Sequence, residues 1–186
     1  MKGCKMIKII TIQGYKSFEL GIFKNEDPAK TYIKKAIEKE VLALLDEGLE
    51  WVLISGQLGV EIWAAEVIFE LKKEYSELKL GILTPFLHQE SNWNEENQQM
   101  YQTIIAKADF VEAISKQPYV GPWQFRNKNA FFLHKTDGAI ILYDPEKEGS
   151  PKFFYEAARA FQEENEYFLR IIDFYDLQAI VDEDNF

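Results

Sequence analysis

Short apolar runs alternate with longer stretches of helical spacing along the chain. The runs are rich in branched side chains and are bounded by turn residues, which is typical of buried strands. They cover residues 6–12, 51–55, 79–84, 109–114 and 137–143, and a last strand is predicted near 167–172. The stretches between them predict five helices, over 28–47, around 64–75, and over 94–107, 123–135 and 151–164.

The helix predicted over 28–47 has the most complete signature. Asp27 can cap its start, Pro28 suits its first turn, and Gly48 ends it. One face of this segment carries the apolar residues Ile33, Ile37, Val41 and Leu44. The spacing therefore predicts a helix whose apolar face packs on a core.

The alternation of strand and helix determines the fold class. It implies right-handed crossovers and a mainly parallel sheet with helices on both faces, which is a three-layer, Rossmann-like α/β fold. Ligands of such folds bind outside the carboxyl ends of the strands. Because no repeat, low-complexity tract or linker interrupts the sequence, we expect a single domain over residues 1–186.

Composition narrows the class of protein further. The chain is 47% hydrophobic and 15% aromatic, which is enough for a substantial core. Cys4 is the only cysteine, so an intramolecular disulfide is excluded, and the sequence shows neither a signal segment nor a run of about twenty apolar residues. We therefore expect a cytoplasmic protein that does not insert into a membrane.

The net charge of −10 bears on the choice of partner. Acidic residues outnumber basic ones most strongly over 144–186, and we expect this tail to form a solvated acidic surface. Such a field opposes binding to nucleic acid, because affinity for polyanions comes largely from lysine and arginine. Nucleic acid is therefore not an expected partner, although a local basic pocket could escape the overall field.

The strongest local signal follows the second strand. Ser55, Gly56, Gln57 and Gly59 form a turn that opens a helix, and backbone N–H groups there can approach a phosphate closely. Glu61, in the first helical turn, could accept ribose hydroxyls or simply complement the helix dipole. The turn matches neither GxGxxG nor GxxxxGK[ST], and a tight strand-to-helix connection that needs glycine only for its backbone angles explains it equally well.

Two other loops carry candidate ligand contacts. Gly14 could bring the backbone near a ligand, Tyr15 could pack on it, and Lys16 could meet a phosphate. After the third strand, Phe86 or Trp93 could stack on a base, although core packing explains aromatic residues as well.

The loop after the fifth strand contributes Asp144, Gly149 and Ser150. Gly149, Ser150 and the proline that follows resemble a helix cap and first turn, so a second anion-binding helix start is plausible. The two histidines, His88 and His134, give no zinc spacing, and we expect no metal site.

Three stretches resemble one bacterial family. Residues 14–23, 54–66 and 142–152 closely resemble the YpsA family of the SLOG superfamily, whose Rossmann-like domains are similar to the DNA-processing protein DprA and to the LOG phosphoribohydrolases. The resemblance implies a nucleotide-derived ligand such as NAD or ADP-ribose. It places Gly59 and Glu61 on the family's proposed ligand-binding positions and Ser55 and Gly56 on the SLOG glycine turn. Trp93 matches an aromatic residue of the same family.

The resemblance implies a ligand-binding regulator with a cell-division protein as its partner. The alternative is an enzyme, a nucleotide N-glycosidase or phosphoribohydrolase, with Glu61 or Glu66 as the acid or nucleophile. The LOG motif PGGxGTxxE is absent, and the two carboxylates diverge on a helix, so catalysis stays open. A third class, single-stranded nucleic-acid binding, is supported only by exposed aromatic residues and by cations such as Lys16, Arg126, Lys128 and Lys152.

Overall fold

The structure, a computed structural model, describes residues 6–185, and six strands within that range form one sheet. Cys4 lies outside the described residues. The strands are β1 (Ile9–Gly14), β2 (Trp51–Ile54), β3 (Lys79–Thr84), β4 (Phe110–Ala113), β5 (Gly138–Leu142) and β6 (Phe168–Ile172). Their order is β4-β3-β2-β1-β5-β6, and every neighbouring pair is parallel.

Strand β1 differs most from its predicted bounds of 6–12. Met6 is 64% exposed, and pairing begins only where Ile9 lies beside Trp51. At the other end β1 continues to Gly14, which pairs with Leu142. An apolar run becomes strand only where a neighbouring backbone is available, and β5 supplies that partner beyond the predicted end.

Six helices follow the strands in the described chain. They are α1 (Pro28–Asp46), α2 (Val60–Leu71), α3 (Glu95–Lys107), α4 (Trp123–Lys135), α5 (Pro151–Gln162) and α6 (Phe174–Asp184), and a 3₁₀ turn covers Ser17–Leu20. The Asp27 side chain accepts a hydrogen bond from the Ala29 N–H at 2.9 Å, so the predicted cap of α1 is confirmed. Helix α2 begins before the predicted residues and ends at Leu71, which leaves Tyr75 beyond the helix and 37% exposed.

Helix α6 corrects the expectation of a wholly solvated acidic tail. Asp173 and Asp176 form a reciprocal cap at its start, and α6 packs against α1 with Ile180 buried. The sequence did not predict this helix, because its apolar face is narrow and acidic residues dominate the segment. Ile180 is the one described residue of α6 that is buried.

The order of the strands creates a switch point between β1 and β5. From β1 the chain steps outward through β2, β3 and β4, then returns across the sheet to β5 and β6. Right-handed crossovers then place α1, α2 and α3 on one face and α4 and α5 on the other. The helix contacts agree, since α1 packs with α2 and α6, and α4 packs with α5. The predicted Rossmann-like α/β fold is confirmed.

None of the described helices is long and apolar enough to cross a membrane.

Candidate functional site

A cavity of about 440 Å³ opens at the switch point, beyond the carboxyl end of β1. One wall comes from Gln13, Gly14 and the β2–α2 turn, and the other comes from α4 and the start of α5. This is the position at which open α/β sheets bind ligands. The two walls differ in how fully their polar groups are already bonded.

Glu61 holds the β2–α2 turn together. Its side chain is only 3% exposed and accepts hydrogen bonds from the Ser55 N–H at 2.7 Å, the Ser55 hydroxyl at 2.8 Å and the Gln57 N–H at 3.3 Å. Burial raises the pKa of Glu61, against the opposing effects of Lys128 and of the Ser55 hydrogen bonds. The carboxylate lines the cavity, but its oxygens are already engaged with the turn.

Gly59 and Gly14 let backbones meet at the start of α2. Gly59 has a φ of 103°, and a Cβ there would lie 2.4 Å from the Ser17 nitrogen. The neighbouring Val60 N–H donates to the Tyr15 carbonyl at 3.1 Å, and a Cβ on Gly14 would lie 2.5 Å from the Val60 side chain. Packing alone therefore requires glycine at both positions.

Tyr15 lies in the core and does not line the cavity. Its ring is fully buried, and its hydroxyl accepts from the Asp144 N–H at 3.0 Å and donates to the Lys147 carbonyl at 2.6 Å. Asp144 Oδ2 accepts from the Phe174 N–H at 3.2 Å, and a Cβ on Gly149 would meet the Tyr15 ring at 2.7 Å. These residues shape the β5–α5 loop from behind.

Ser150 is the N-cap residue immediately before α5, but its side chain makes no capping hydrogen bond. Its N–H and hydroxyl instead donate to the Glu19 carboxylate at 2.7 Å and 2.8 Å, and Glu19 also accepts from the Lys16 N–H at 2.6 Å. Glu19 thus joins two loops of the cavity. No pattern in the sequence indicates this role for Glu19, because Glu19 and Ser150 are 131 positions apart.

The aromatic candidates after β3 are half-buried and pack against other aromatic rings. Trp93 lies edge-on to Tyr101 with ring centroids 5.1 Å apart, away from the cavity lining. Phe86 contacts Tyr119 at 5.2 Å and meets Phe125 edge-on at 5.6 Å. Of these rings, Phe125 lines the cavity.

Lys128 is a buried cation on the α4 wall. Its residue is 8% exposed, its Nζ donates to Gln13 Oε1 at a long 3.4 Å, and it lies 5.9 Å from the centroid of the Phe132 ring. Burial lowers the pKa of Lys128, and attraction to Glu61 opposes that shift. Lys16 and Arg126 line the same cavity, so its cations outnumber Glu61, the one acidic residue among the described lining residues.

Sequence reasoning marked this wall only in part. Arg126 and Lys128 appeared as cations for nucleic acid, while Phe125 and Asn129 on α4 and Phe153 on α5 were not marked at all. The positions of Phe125, Lys128 and Asn129 follow the spacing of three and four residues that places side chains on one helix face. That spacing was the available signal.

The cavity gathers some of the predicted binding residues and leaves others out. The predicted residues that line it are Gly14, Lys16, Gln57, Glu61 and Ser150. Those that do not line it are Tyr15, Ser55, Gly56, Gly59, Trp93, Asp144 and Gly149. Ligand binding by any of them stays a prediction.

The paired-carboxylate arrangement does not form in the cavity. Glu66 pairs with Lys30 at 3.2 Å and Lys34 at 3.0 Å, both on α1, and it does not line the cavity. Over residues 6–185, no cluster of histidine and acidic side chains could hold a metal ion.

Comparison with known proteins identifies the family. The model of the YspA SLOG family matches residues 10–177. The chain belongs to the YpsA family. A protein of Bacillus subtilis (strain 168), UPF0398 protein YpsA, is 51% identical over 180 residues, which cover 97% of this chain and 100% of that relative. A UPF0398 protein of Lysinibacillus sphaericus (strain C3-41) is 54% identical over 172 residues, covering 92% and 96%.

A solved structure shares the fold of this YpsA-family chain. It is DNA processing protein A from Helicobacter pylori, whose structure describes single-stranded DNA binding. The TM-score is 0.53 at 15% identity, covering 97% of this chain and 81% of that one. A likeness at this identity shows the fold alone.

Proposed function

We propose that this YpsA-family chain binds a nucleotide-derived anion in the switch-point cavity, with a phosphate of the ligand on Lys128. The observation that carries the proposal is a buried lysine on the cavity wall with one long hydrogen bond. A lysine ammonium has three donors, and the 3.4 Å contact to Gln13 engages one of them weakly. A phosphate oxygen would supply the missing acceptors.

The charge distribution supports a small anion over a polymer. The chain carries a net charge of −10, which repels extended polyanions, while Lys16, Arg126 and Lys128 make the cavity locally positive. A ligand that enters the cavity meets the local field at short range. We therefore propose a small nucleotide-derived molecule rather than single-stranded DNA.

The size and place of the cavity support the nucleotide class. A cavity of about 440 Å³ lies within the usual range for small-molecule sites, and it opens at the switch point where nucleotides bind in related folds. NAD and ADP-ribose are the first ligands to test, on the strength of the SLOG resemblance.

The regulatory half of the proposal concerns a partner protein. We propose that ligand occupancy changes contacts with a cytoplasmic cell-division protein, with family resemblance as the support. Phe18 and Phe23 are 63% and 79% exposed on the segment that follows Lys16, which lines the cavity. A fluorescent fusion that fails to collect at the division septum would count against this half.

We propose that the chain binds its ligand without cleaving a glycosidic bond. Glycosidases commonly use two carboxylates on opposite sides of the bond. Among the described residues Glu61 is the only carboxylate on the cavity lining, and Glu66 is paired with α1. Detectable release of a base from NAD or ADP-ribose, lost in Glu61→Gln, would replace binding with hydrolysis.

The test is calorimetry with NAD, ADP-ribose and a short DNA oligonucleotide. We expect one of the two small ligands to bind the wild type and Lys128→Met to weaken that binding about 10- to 100-fold, since a hydrogen bond to a charged group is lost. Lys128→Arg should retain most of the affinity because it keeps the charge.

Lys135→Met is the matched control. Lys135 lies at the end of the same helix, is exposed and does not line the cavity. Its loss should leave the affinity unchanged. Wild-type affinity in Lys128→Met would refute the phosphate position, and oligonucleotide binding alone would refute the choice of a small ligand.

A further inference from the structure

We infer that the ligand carries a flat aromatic base and that this base stacks on Phe153 at the opening of the cavity. The inference rests on the proposed function and adds the second half of the ligand. Phe153 lines the cavity and is nevertheless 70% exposed. The next residue, Phe154, is 2% exposed and anchors the same turn of α5 in the core. An aromatic ring is thus presented to solvent from a fixed helix.

Helix α4, on the same wall, supplies a second aromatic ring to the cavity lining. Phe125 lies on α4 and is held by two neighbours, Phe86 edge-on at 5.6 Å and Tyr119 at 6.0 Å. These contacts fix the position of Phe125 on the lining. Pro122 and Pro151 extend the apolar surface on either side. The opening therefore has rigid apolar walls on both helices.

The cavity combines two chemistries in one space. Lys16 and Lys128 favour an anion, whereas Phe125 and Phe153 favour a flat apolar ring. A free phosphate or a sugar phosphate would satisfy the cations and leave the rings in water. A base linked to a phosphate would satisfy both, because aromatic faces stack on bases whatever their sequence identity. A mononucleotide unit is the smallest ligand of this kind.

The experiment compares adenosine 5′-monophosphate with ribose 5-phosphate, which lacks the base. We expect the wild type to bind the nucleotide more tightly. Phe153→Ala should weaken nucleotide binding about 5- to 150-fold and leave the affinity for ribose 5-phosphate unchanged, since only stacking is lost. Phe153→Trp should retain nucleotide affinity, while Phe153→Leu, which keeps apolar area without a flat ring, should lose most of it.

Phe23→Ala is the matched control. Phe23 is 79% exposed and does not line the cavity, so its loss should change neither affinity. Because Phe153 and Phe23 are both exposed, neither substitution should prevent folding, which a thermal melt checks.

The possible failures are separable. If ribose 5-phosphate binds in a Lys128-dependent way and the nucleotide binds no more tightly, the anion site stands and the base position is refuted. If Phe153→Ala weakens both ligands equally, stacking is also refuted. If neither these ligands nor NAD nor ADP-ribose binds the wild type, the proposed function fails, and this inference fails with it.

Discussion

The two walls of the cavity differ in how completely their polar groups are bonded. On the β2–α2 wall, the Glu61 carboxylate accepts three donors of the turn, and Gly59 is packed against the backbone of another loop. On the α4 wall, Lys128 has one hydrogen bond of 3.4 Å, and Asn129 Oδ1 is buried with no partner among the described residues. The polar groups named on the β2–α2 wall are thus satisfied by hydrogen bonds within the protein, whereas those named on the α4 wall are not.

This difference separates residues that build the cavity from residues free to act in it. Buried polar groups are normally hydrogen-bonded, and leaving one unpaired costs about 1–3 kcal/mol. Such a cost is commonly retained at functional sites. The glycine turn, which is the more conspicuous feature of the sequence, thus has a sufficient structural explanation. The α4 wall has no such explanation.

The largest expected effect is a loss of folding stability caused by a substitution in the β2–α2 wall. Gly59→Ala should lower the free energy of unfolding by about 3 kcal/mol, because it adds strain at positive φ to a clash with backbone atoms. In the native structure a Cβ would lie 2.4 Å from the Ser17 nitrogen and 2.6 Å from the Tyr15 carbonyl oxygen. Urea unfolding of the two proteins measures the difference.

Gly48→Ala separates the clash from the backbone angle. Gly48 has nearly the same φ, 102°, but no atom lies within 4 Å of a Cβ built there. It should cost about 1 kcal/mol, the cost of the angle alone. Equal losses in the two variants would show that backbone contact at Gly59 contributes nothing, and full stability of Gly59→Ala would contradict the structural explanation of the turn.

Glu61 and Lys128 should respond in opposite ways. Glu61→Gln places an amide N–H₂ among donors that now share a carboxylate, and we expect a loss of about 2 kcal/mol in stability. Ligand affinity of the folded variant should stay within about threefold, because the oxygens are used by the turn. Lys128→Met should change stability by less than about 1 kcal/mol, since the buried cation is weakly paired.

Paired urea unfolding and calorimetry on both variants test this contrast. A Glu61→Gln protein of wild-type stability that no longer binds ligand would reverse the assignment of the two walls. It would return Glu61 to direct ligand contact, as the family resemblance implies.

The sequence was sufficient for the fold because local patterns specify it. Asp27, Pro28 and Gly48 punctuate α1 where predicted, and each predicted strand appears within a few residues of its bounds. The parallel direction of the strands followed from the alternation of strand and helix and from the handedness of crossovers. The exception, α6, has a single buried residue among those described, so its periodic signal was too weak to detect.

The site was harder to predict, because its partners are distant in sequence. The loops at the carboxyl ends of the strands were expected to carry the site, and three residues of these loops, Lys16, Gln57 and Ser150, line one cavity. Nothing local distinguishes Tyr15, which is fully buried, from an aromatic residue that faces a ligand. Likewise, the sequence around Lys128 is that of an ordinary helical lysine. Its buried position becomes evident only in the fold, where it contacts Gln13, 115 positions away.

The smallest expected effect is a pH dependence of ligand binding that arises from Lys128 on the α4 wall. Burial lowers the pKa of Lys128, Glu61 opposes the shift and Lys16 adds to it. A bound anion would raise that pKa, so affinity should be full below the pKa of the free protein and fall as pH rises through it, by at most about tenfold per pH unit.

Calorimetry with adenosine 5′-monophosphate above pH 7.5, where its phosphate monoester stays doubly charged, isolates this effect from ionisation of the ligand. Lys128→Arg should bind with little pH dependence up to about pH 10, because a guanidinium stays protonated there. Proton uptake on binding, measured in buffers of different ionisation enthalpy, should appear in the wild type and vanish in Lys128→Arg. The same pH slope in both proteins would mean that the titrating group lies elsewhere and that the phosphate does not meet Lys128.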